Sequence, residues 1–301
     1  MGKESTKIAF IGGCQVDSLA AAARALMPRA EVQTWHVGVG PVITREALAE
    51  LLSGYESVFS QLPDNDSQGP LASSRLRERG INALFIPTVA FPGFHPDSTY
   101  VFRMDGSVVP AALSDYHSKL VAACYLLDIP CERVPELFNG LVFHELGYLQ
   151  GFAAAKSAFL DRWSQVGFDL GAAFERWMNT GSFMYTLNHP HIRVLAEISR
   201  LELLAAGLIS EELVLTDPPD DPLANGFIIP VYPPLAKRLG VAGSNEFLKS
   251  AHRLPPGEAR LISLNDYVAA NYRYYETIDR DLLSAPTIVA AKARLDVMVA
   301  R

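Results

Sequence analysis

Short apolar runs and helix-spaced segments alternate along the first third of the chain. Lys7 to Gly13 (KIAFIGG) is an apolar run closed by two glycines, the pattern of a short buried strand. Gln15 to Met27 follows, with Leu19, Ala22, Ala23 and Leu26 at helical spacing. Glu31 to Val37 alternates as a second strand. Thr44 is placed to cap a helix running through Leu52, and Glu46 falls in its first turn, where the helix dipole favours negative charge. Ser57 to Gln61 predicts a third strand. Arg75 to Arg79 lies on a basic helix closed by Gly80, and Asn82 to Ile86 is a fourth strand stopped by Pro87. Strands alternating with helices imply an α/β fold, a parallel sheet with helices on both faces.

The pattern then changes. Thr88 to Asp115 is rich in Pro, Gly, Asp and aromatic residues. It reads as a long ordered loop with a strand at Tyr100 to Met104, and loops of this length in compact domains are often functional. From Asp115 onward helices dominate: Tyr116 to Leu127, Ala153 to Val166, Leu170 to Met178, Ile192 to Ala206, Ser263 to Tyr275 and Ala285 to Val299. Ser182 to Leu187 predicts a short strand feeding Asn188-His189-Pro190, and Thr216 to Pro234 a Pro/Asp-rich surface excursion. No repeat or clean linker interrupts the chain. The expectation is one α/β domain over residues 1–301, with a strand/helix core over about 7–112 and a mainly helical C-terminal elaboration over about 113–301.

Composition narrows the function classes. The 301 residues are 49% hydrophobic and 20% charged, as in ordinary globular proteins. The net charge of −7 argues against nucleic acid as a partner, which needs a basic field, but leaves room for one phosphorylated ligand. No apolar run approaches the roughly 20 residues of a transmembrane segment, and the polar start has no signal-peptide core. A cytoplasmic enzyme is therefore expected. The three cysteines, Cys14, Cys124 and Cys131, show no CxxC or Cys/His metal spacing, so neither a disulfide framework nor a zinc site is expected.

Five short segments could carry chemistry. Gly12-Gly13-Cys14-Gln15 sits where the first strand meets the first helix, at the carboxyl edge where open α/β sheets bind ligands. The glycines permit a tight turn, and a helix N-terminus stabilises a thiolate or an oxyanion. Taken alone, the motif is more often a buried residue in a glycine turn, and it is not a dinucleotide fingerprint. Ser60-Gln61 and Asn65 follow the third strand on the same edge, and either amide could donate to an oxyanion or a phosphate; such residues are also common in plain turns. Phe94-His95-Pro96-Asp97 with Tyr100, Tyr116-His117, and Asn188-His189-Pro190-His191 each offer an imidazole able to take a proton near neutral pH. Spacing leaves open which histidine meets Cys14. His36, His144 and His252 lie outside these segments and read as structural or surface residues.

In order and spacing the five segments resemble the WcbI family of polysaccharide-biosynthesis enzymes. The resemblance rests on Gly12, Cys14 and Gln15; Ser60 and Gln61; Pro96, Asp97 and Tyr100; Tyr116 and His117; and Asn188, His189 and Pro190, between about residues 7 and 206. Gly13 departs from it, since the family carries Asn there. If that amide helps bind the acyl oxygen, its role here would pass to backbone N–H groups or to Gln61. The resemblance implies an SGNH-like core with cysteine at the nucleophile position and coenzyme A as acyl carrier. It also implies a sugar hydroxyl of a capsular polysaccharide precursor as acceptor, and association with capsule assembly machinery. On this footing Cys14, His189, Gln61 and His117 are the expected catalytic residues. Gly12, Gly13, Gln15, Ser60, His95, Asp97, Tyr100 and Asn188 are expected around the cofactor, and Arg75, Arg77 and Arg79 are candidates for its phosphates. Covalent transfer through Cys14 and direct transfer are both open. So are two rivals: an esterase or thioesterase using water at the same site, and a non-catalytic subunit that binds coenzyme A.

Overall fold

The computed structural model describes residues 5–37 and 43–299. In chain order the first regular elements are β1 (Lys7–Gly12), α1 (Val16–Leu26), β2 (Glu31–His36), α2 (Arg45–Leu52), β3 (Ser57–Ser60), α3 (Ser73–Glu78) and β4 (Asn82–Phe85). Four short strands follow, β5 (Ser98–Thr99), β6 (Val101–Phe102), β7 (Val108–Val109) and β8 (His117–Ser118). Then come α4 (Lys119–Leu126), α5 (Gly140–Glu145), α6 (Phe152–Ser164), α7 (Gly171–Met178), α8 (Ile192–Ala205) and α9 (Pro233–Leu239). The chain closes with β9 (Glu246–Leu248), β10 (Leu261–Ser263), α10 (Leu264–Tyr275) and α11 (Pro286–Val299). It groups into two compact units. One gathers Met1–Val89, Leu160–Phe174 and His189–Leu223; the other Ala90–Phe159, Glu175–Asn188 and Ala224–Arg301. The chain does not divide near residue 112: segments beyond it return to the first unit.

The first unit holds a parallel four-stranded sheet of order β2-β1-β3-β4. The path runs from β1 outward to β2, then back across β1 to β3 and on to β4. Because parallel crossovers are right-handed, this reversal puts α1 on one face and α2 and α3 on the other. Burial agrees. Successive strand residues point to opposite faces, and Ile8, Ala9, Phe10 and Ile11 are all fully buried, so both faces of β1 are covered. Ala9, Ile11 and Val58 pack with Leu48, Ala49 and Leu52 of α2 and Leu76 of α3. On the opposite face Phe10 stacks on Phe59 with ring centroids 4.9 Å apart. α8 packs on α1, and the Ser199 hydroxyl donates to the Leu19 carbonyl at 3.0 Å. The reversal of strand order between β1 and β3 creates a crevice at their carboxyl ends, the usual ligand position in such sheets.

The second unit is built on an aromatic and aliphatic core that includes Phe143, Tyr232, Phe247, Tyr267 and Tyr275. Phe247 and Tyr267 stack at 4.1 Å. Three sequence expectations change here. The helix expected from Tyr116 starts at Lys119, because His117 and Ser118 pair with Thr99 and Ser98 as a two-residue ladder and the Ser118 hydroxyl then caps the helix by accepting from the Val121 N–H. The strand expected over Ser182 to Leu187 does not form. Its backbone bonds go to two unrelated neighbours, with Leu187 accepting from the Phe91 N–H and Tyr185 from the Ile229 N–H, so no ladder builds. The expected strand at Tyr100 to Met104 shrinks to Val101–Phe102, paired with Val108–Val109 around a turn in which Gly106 has φ +82°. Among the described residues no helix is long and apolar enough to cross a membrane.

Candidate active site

The turn after β1 is built for close approach. A Cβ on Gly12 would lie 2.7 Å from Cβ of Gln61, so only glycine lets the end of β1 pass the end of β3. A Cβ on Gly13 would meet nothing within 4 Å. Cys14 follows, exposed, just ahead of α1.

Its imidazole partner arrives from far along the chain: Nε2 of His189 lies 3.2 Å from Sγ of Cys14. Pro190 and His191 lead from there into α8, whose packing on α1 brings the two helix mouths together. Cys14 is exposed as a residue, yet partial burial of its sulfur pushes the thiol above its ordinary value, and the carboxylate of Asp17 adds to this. The amide N–H of Cys14 itself works in the opposite direction. Burial thus works against the thiolate that the helix N-terminus was expected to favour, and the thiol lies within hydrogen-bonding distance of the imidazole. A neutral ring whose Nε2 accepts from the thiol carries its proton on Nδ1. His191, next but one, is held neutral by burial and by Arg193 down to about 4, against the pull of Asp221.

The two glutamines tie the site together. Gln15 is fully buried; its Oε1 accepts the Val89 N–H at 3.0 Å and its Nε2 donates to the Val89 carbonyl at 2.9 Å. Gln61, 8% exposed, donates from Nε2 to the same Oε1 at 3.0 Å. One carboxamide therefore ties the segments that follow β1, β3 and β4. Ser60 is also buried, its hydroxyl accepting from the Leu62 N–H at 3.2 Å. Gln15 and Ser60, expected around the cofactor, make these internal bonds.

The second unit places its motif residues in structural roles. His117 is fully buried, with Nε2 2.9 Å from the Val109 carbonyl and Nδ1 3.1 Å from the Tyr275 hydroxyl. Both ring nitrogens are used and burial lowers its basicity, so the expected role as proton acceptor is lost. His95 is 1% exposed, with Nε2 2.9 Å from the Ile229 carbonyl. Asp97 is 2% exposed; its Oδ1 accepts from the Leu120 N–H at 2.8 Å and from the Tyr148 hydroxyl at 2.9 Å. It fastens the start of α4. Asn188 accepts from the Tyr116 hydroxyl at 2.6 Å and donates to Tyr100 at 3.1 Å, fixing the residue that precedes His189 in the chain.

Of the basic candidates, Arg75 pairs with Glu78 at 3.0 Å and Arg77 with Asp64 at 3.1 Å. Arg75 and Arg79 line an open depression of about 440 Å³ that also holds Asp66 and Glu78, a mixed field that favours no anion. Among the described residues no group of His, Cys, Asp and Glu could hold a metal ion. One feature was missed in the sequence. His36, treated above as a bystander, ends β2 in register with Gly12, and its Nε2 lies 2.9 Å from Oδ2 of Asp17. The signal was present: in a parallel sheet, the last residue of the neighbouring strand reaches the same edge as the turn.

A family model described as the polysaccharide biosynthesis enzyme WcbI matches residues 7–211. Among solved structures, one described as WcbI, a novel polysaccharide biosynthesis enzyme, superposes with a TM-score of 0.73 at 18% identity, covering 97% of this chain and 99% of that one. It is the native protein without a disulfide bond between coenzyme A and its Cys14. The likeness shows a shared fold. No curated protein matches.

Proposed function

Since the chain belongs to the WcbI family of polysaccharide biosynthesis enzymes, we propose that it transfers an acetyl group from acetyl-coenzyme A to a hydroxyl of a polysaccharide precursor. Cys14 and His189 are the reacting pair. The observation that carries this reading is the 3.2 Å separation of Sγ and Nε2 on an exposed turn at the carboxyl edge of the sheet. That is the distance at which a nucleophile and its base exchange a proton. Coenzyme A as the acyl donor draws support from the similar solved protein, whose description links it to a cysteine also numbered 14.

The raised thiol sets the order of events. Nε2 takes the proton as sulfur attacks the thioester carbonyl, so no preformed thiolate is needed. The tetrahedral centre collapses with loss of the coenzyme A thiolate, which takes the proton back from His189. In the second half the sugar hydroxyl gives its proton to Nε2 while its oxygen attacks the acetyl-cysteine; sulfur leaves and is reprotonated. Asp17 and His36 stand at the same rim, where their hydrogen-bonded pair can meet a polar group of either substrate. The internal bonds of Gln15 and Gln61 keep the turn from moving during both halves.

The test is rapid-quench mass spectrometry after mixing with acetyl-coenzyme A. One acetyl group on the peptide bearing Cys14, discharged faster when an acceptor sugar is present, is the expected result. Turnover with no acetylated cysteine would leave direct transfer, with His189 deprotonating the sugar. Release of free coenzyme A that ignores the sugar would replace the transferase by a hydrolase. His189→Ala is expected to slow acetylation by about 10²–10⁴-fold.

A further inference from the structure

The last helix has two apolar faces where one would suffice. Ile288, Ala291 and Leu295 of α11 are buried, packed on α4. The opposite face carries Val289, Ala290, Ala293 and Val297, all exposed, with Val289 at 47% and Val297 at 56%. At about 100° per residue these four positions span an arc of about 100°, a stripe that on a lone surface helix would be charged. Alongside, Leu141 of α5 is 68% exposed. Together the two helices form a mostly apolar groove of about 480 Å³ lined by Leu141, Glu145, Ala293, Arg294, Val297 and Met298.

The charges beside the stripe indicate what covers it. Lys292 and Asp296 flank one side of α11. They form no ion pair with each other or with any other described residue. On the other side Arg294 donates to the backbone carbonyl of Glu145 at 3.3 Å, while among the described residues the Glu145 carboxylate pairs only with the imidazole of adjacent His144 at 3.6 Å. Each flank thus bears one cation and one anion. When two copies of a helix pack antiparallel about a two-fold axis, each flank faces its own counterpart, so a self-complementary surface needs both signs on each flank. Alanine at the centre permits close approach, and the neutral rim spares two acidic chains, each of net charge −7, a repulsive edge.

We infer that this face is the interface of a two-fold homodimer, with α11 antiparallel to α11 of a second copy. Ala293 lies near the axis, and Val289 packs against the partner's Val297. Lys292 comes within reach of the partner's Asp296, twice over. Sedimentation of the full chain from micromolar to about 100 μM tests this. The expected species has twice the chain mass of 32.9 kDa. Val297→Asp weakens the dimer roughly tenfold or more. Lys292→Asp alone, which sets like charges across the axis, also weakens it, and adding Asp296→Lys restores it. Circular dichroism confirms that each variant is folded. A wild-type monomer at the highest concentration overturns the inference, as does a dimer indifferent to both single substitutions or a double swap that fails to recover.

Discussion

The sulfur of Cys14 is kept protonated by its surroundings, and that has a measurable signature. Alkylation by iodoacetamide, followed on the Cys14 peptide, is expected to climb about tenfold per pH unit and to be still rising near pH 9, because only the thiolate reacts. Asp17→Asn removes the carboxylate that disfavours the thiolate and is expected to speed labelling a few-fold at neutral pH. A plateau reached below about pH 8 in the native protein would contradict the geometry. The two glycines next door should respond in opposite senses. Gly12→Ala forces a carbon into the Gln61 side chain and is expected to cost about 1–3 kcal/mol. Gly13→Ala enters open space without left-handed strain and is expected to stabilise by about 0.4–1 kcal/mol in urea titrations.

Among the elements, the ends of β1, β3 and β4 depend on one buried carboxamide. Gln15→Leu keeps the volume but abandons the N–H of Val89 and the amide of Gln61, and is expected to destabilise by about 2–4 kcal/mol in chemical denaturation. Much of this architecture could be read in advance. The four parallel strands and their helices followed from apolar spacing, because the central strands β1 and β3 are buried on both faces while the edge strand β2 alternates polar with apolar residues. Cys14 and His189 could each be read as standing at a helix mouth, but spacing left open which histidine meets Cys14. The roles of Gln15, Ser60 and Asp97 were not legible. Sequence shows a polar residue at a rim, but not whether its hydrogens are already spent on a backbone carbonyl or on a helix start. His117 fails for a related reason: the two-residue ladder that moves the helix start to Lys119 is set by Thr99, far outside its local pattern. The segment 182–187 has a strand's composition, but its partners are tertiary, and no local signal encodes them.

Across the molecule, each unit buries a carboxyl. Glu202 on α8 is fully buried, with neither oxygen hydrogen-bonded among the described residues, and burial raises its pKa well above the ordinary value. Burial likewise raises Asp97, though its hydrogen bonds to Ser118, Leu120 and Tyr148 oppose the shift. In both cases the folded chain holds a proton that the unfolded chain has released, so folding is favoured below the unfolded value of about 4. That advantage is lost as pH rises through the folded pKa, with a slope of about 1.4 kcal/mol per pH unit per carboxyl. Denaturation midpoints measured from mild acid to neutrality should therefore fall, and Glu202→Gln should flatten the fall. The separation of Cys14 from His189 has a consequence in time as well as in space. The two stand 175 residues apart, so a ribosome adding about 5–20 residues per second needs roughly 10–35 s to supply the base after the thiol has been made. Throughout that interval, and in any chain terminated before His189, the cysteine lacks this imidazole. On the proposed mechanism the nascent polypeptide therefore carries a dormant nucleophile, armed only once residue 189 of the 301 has been added.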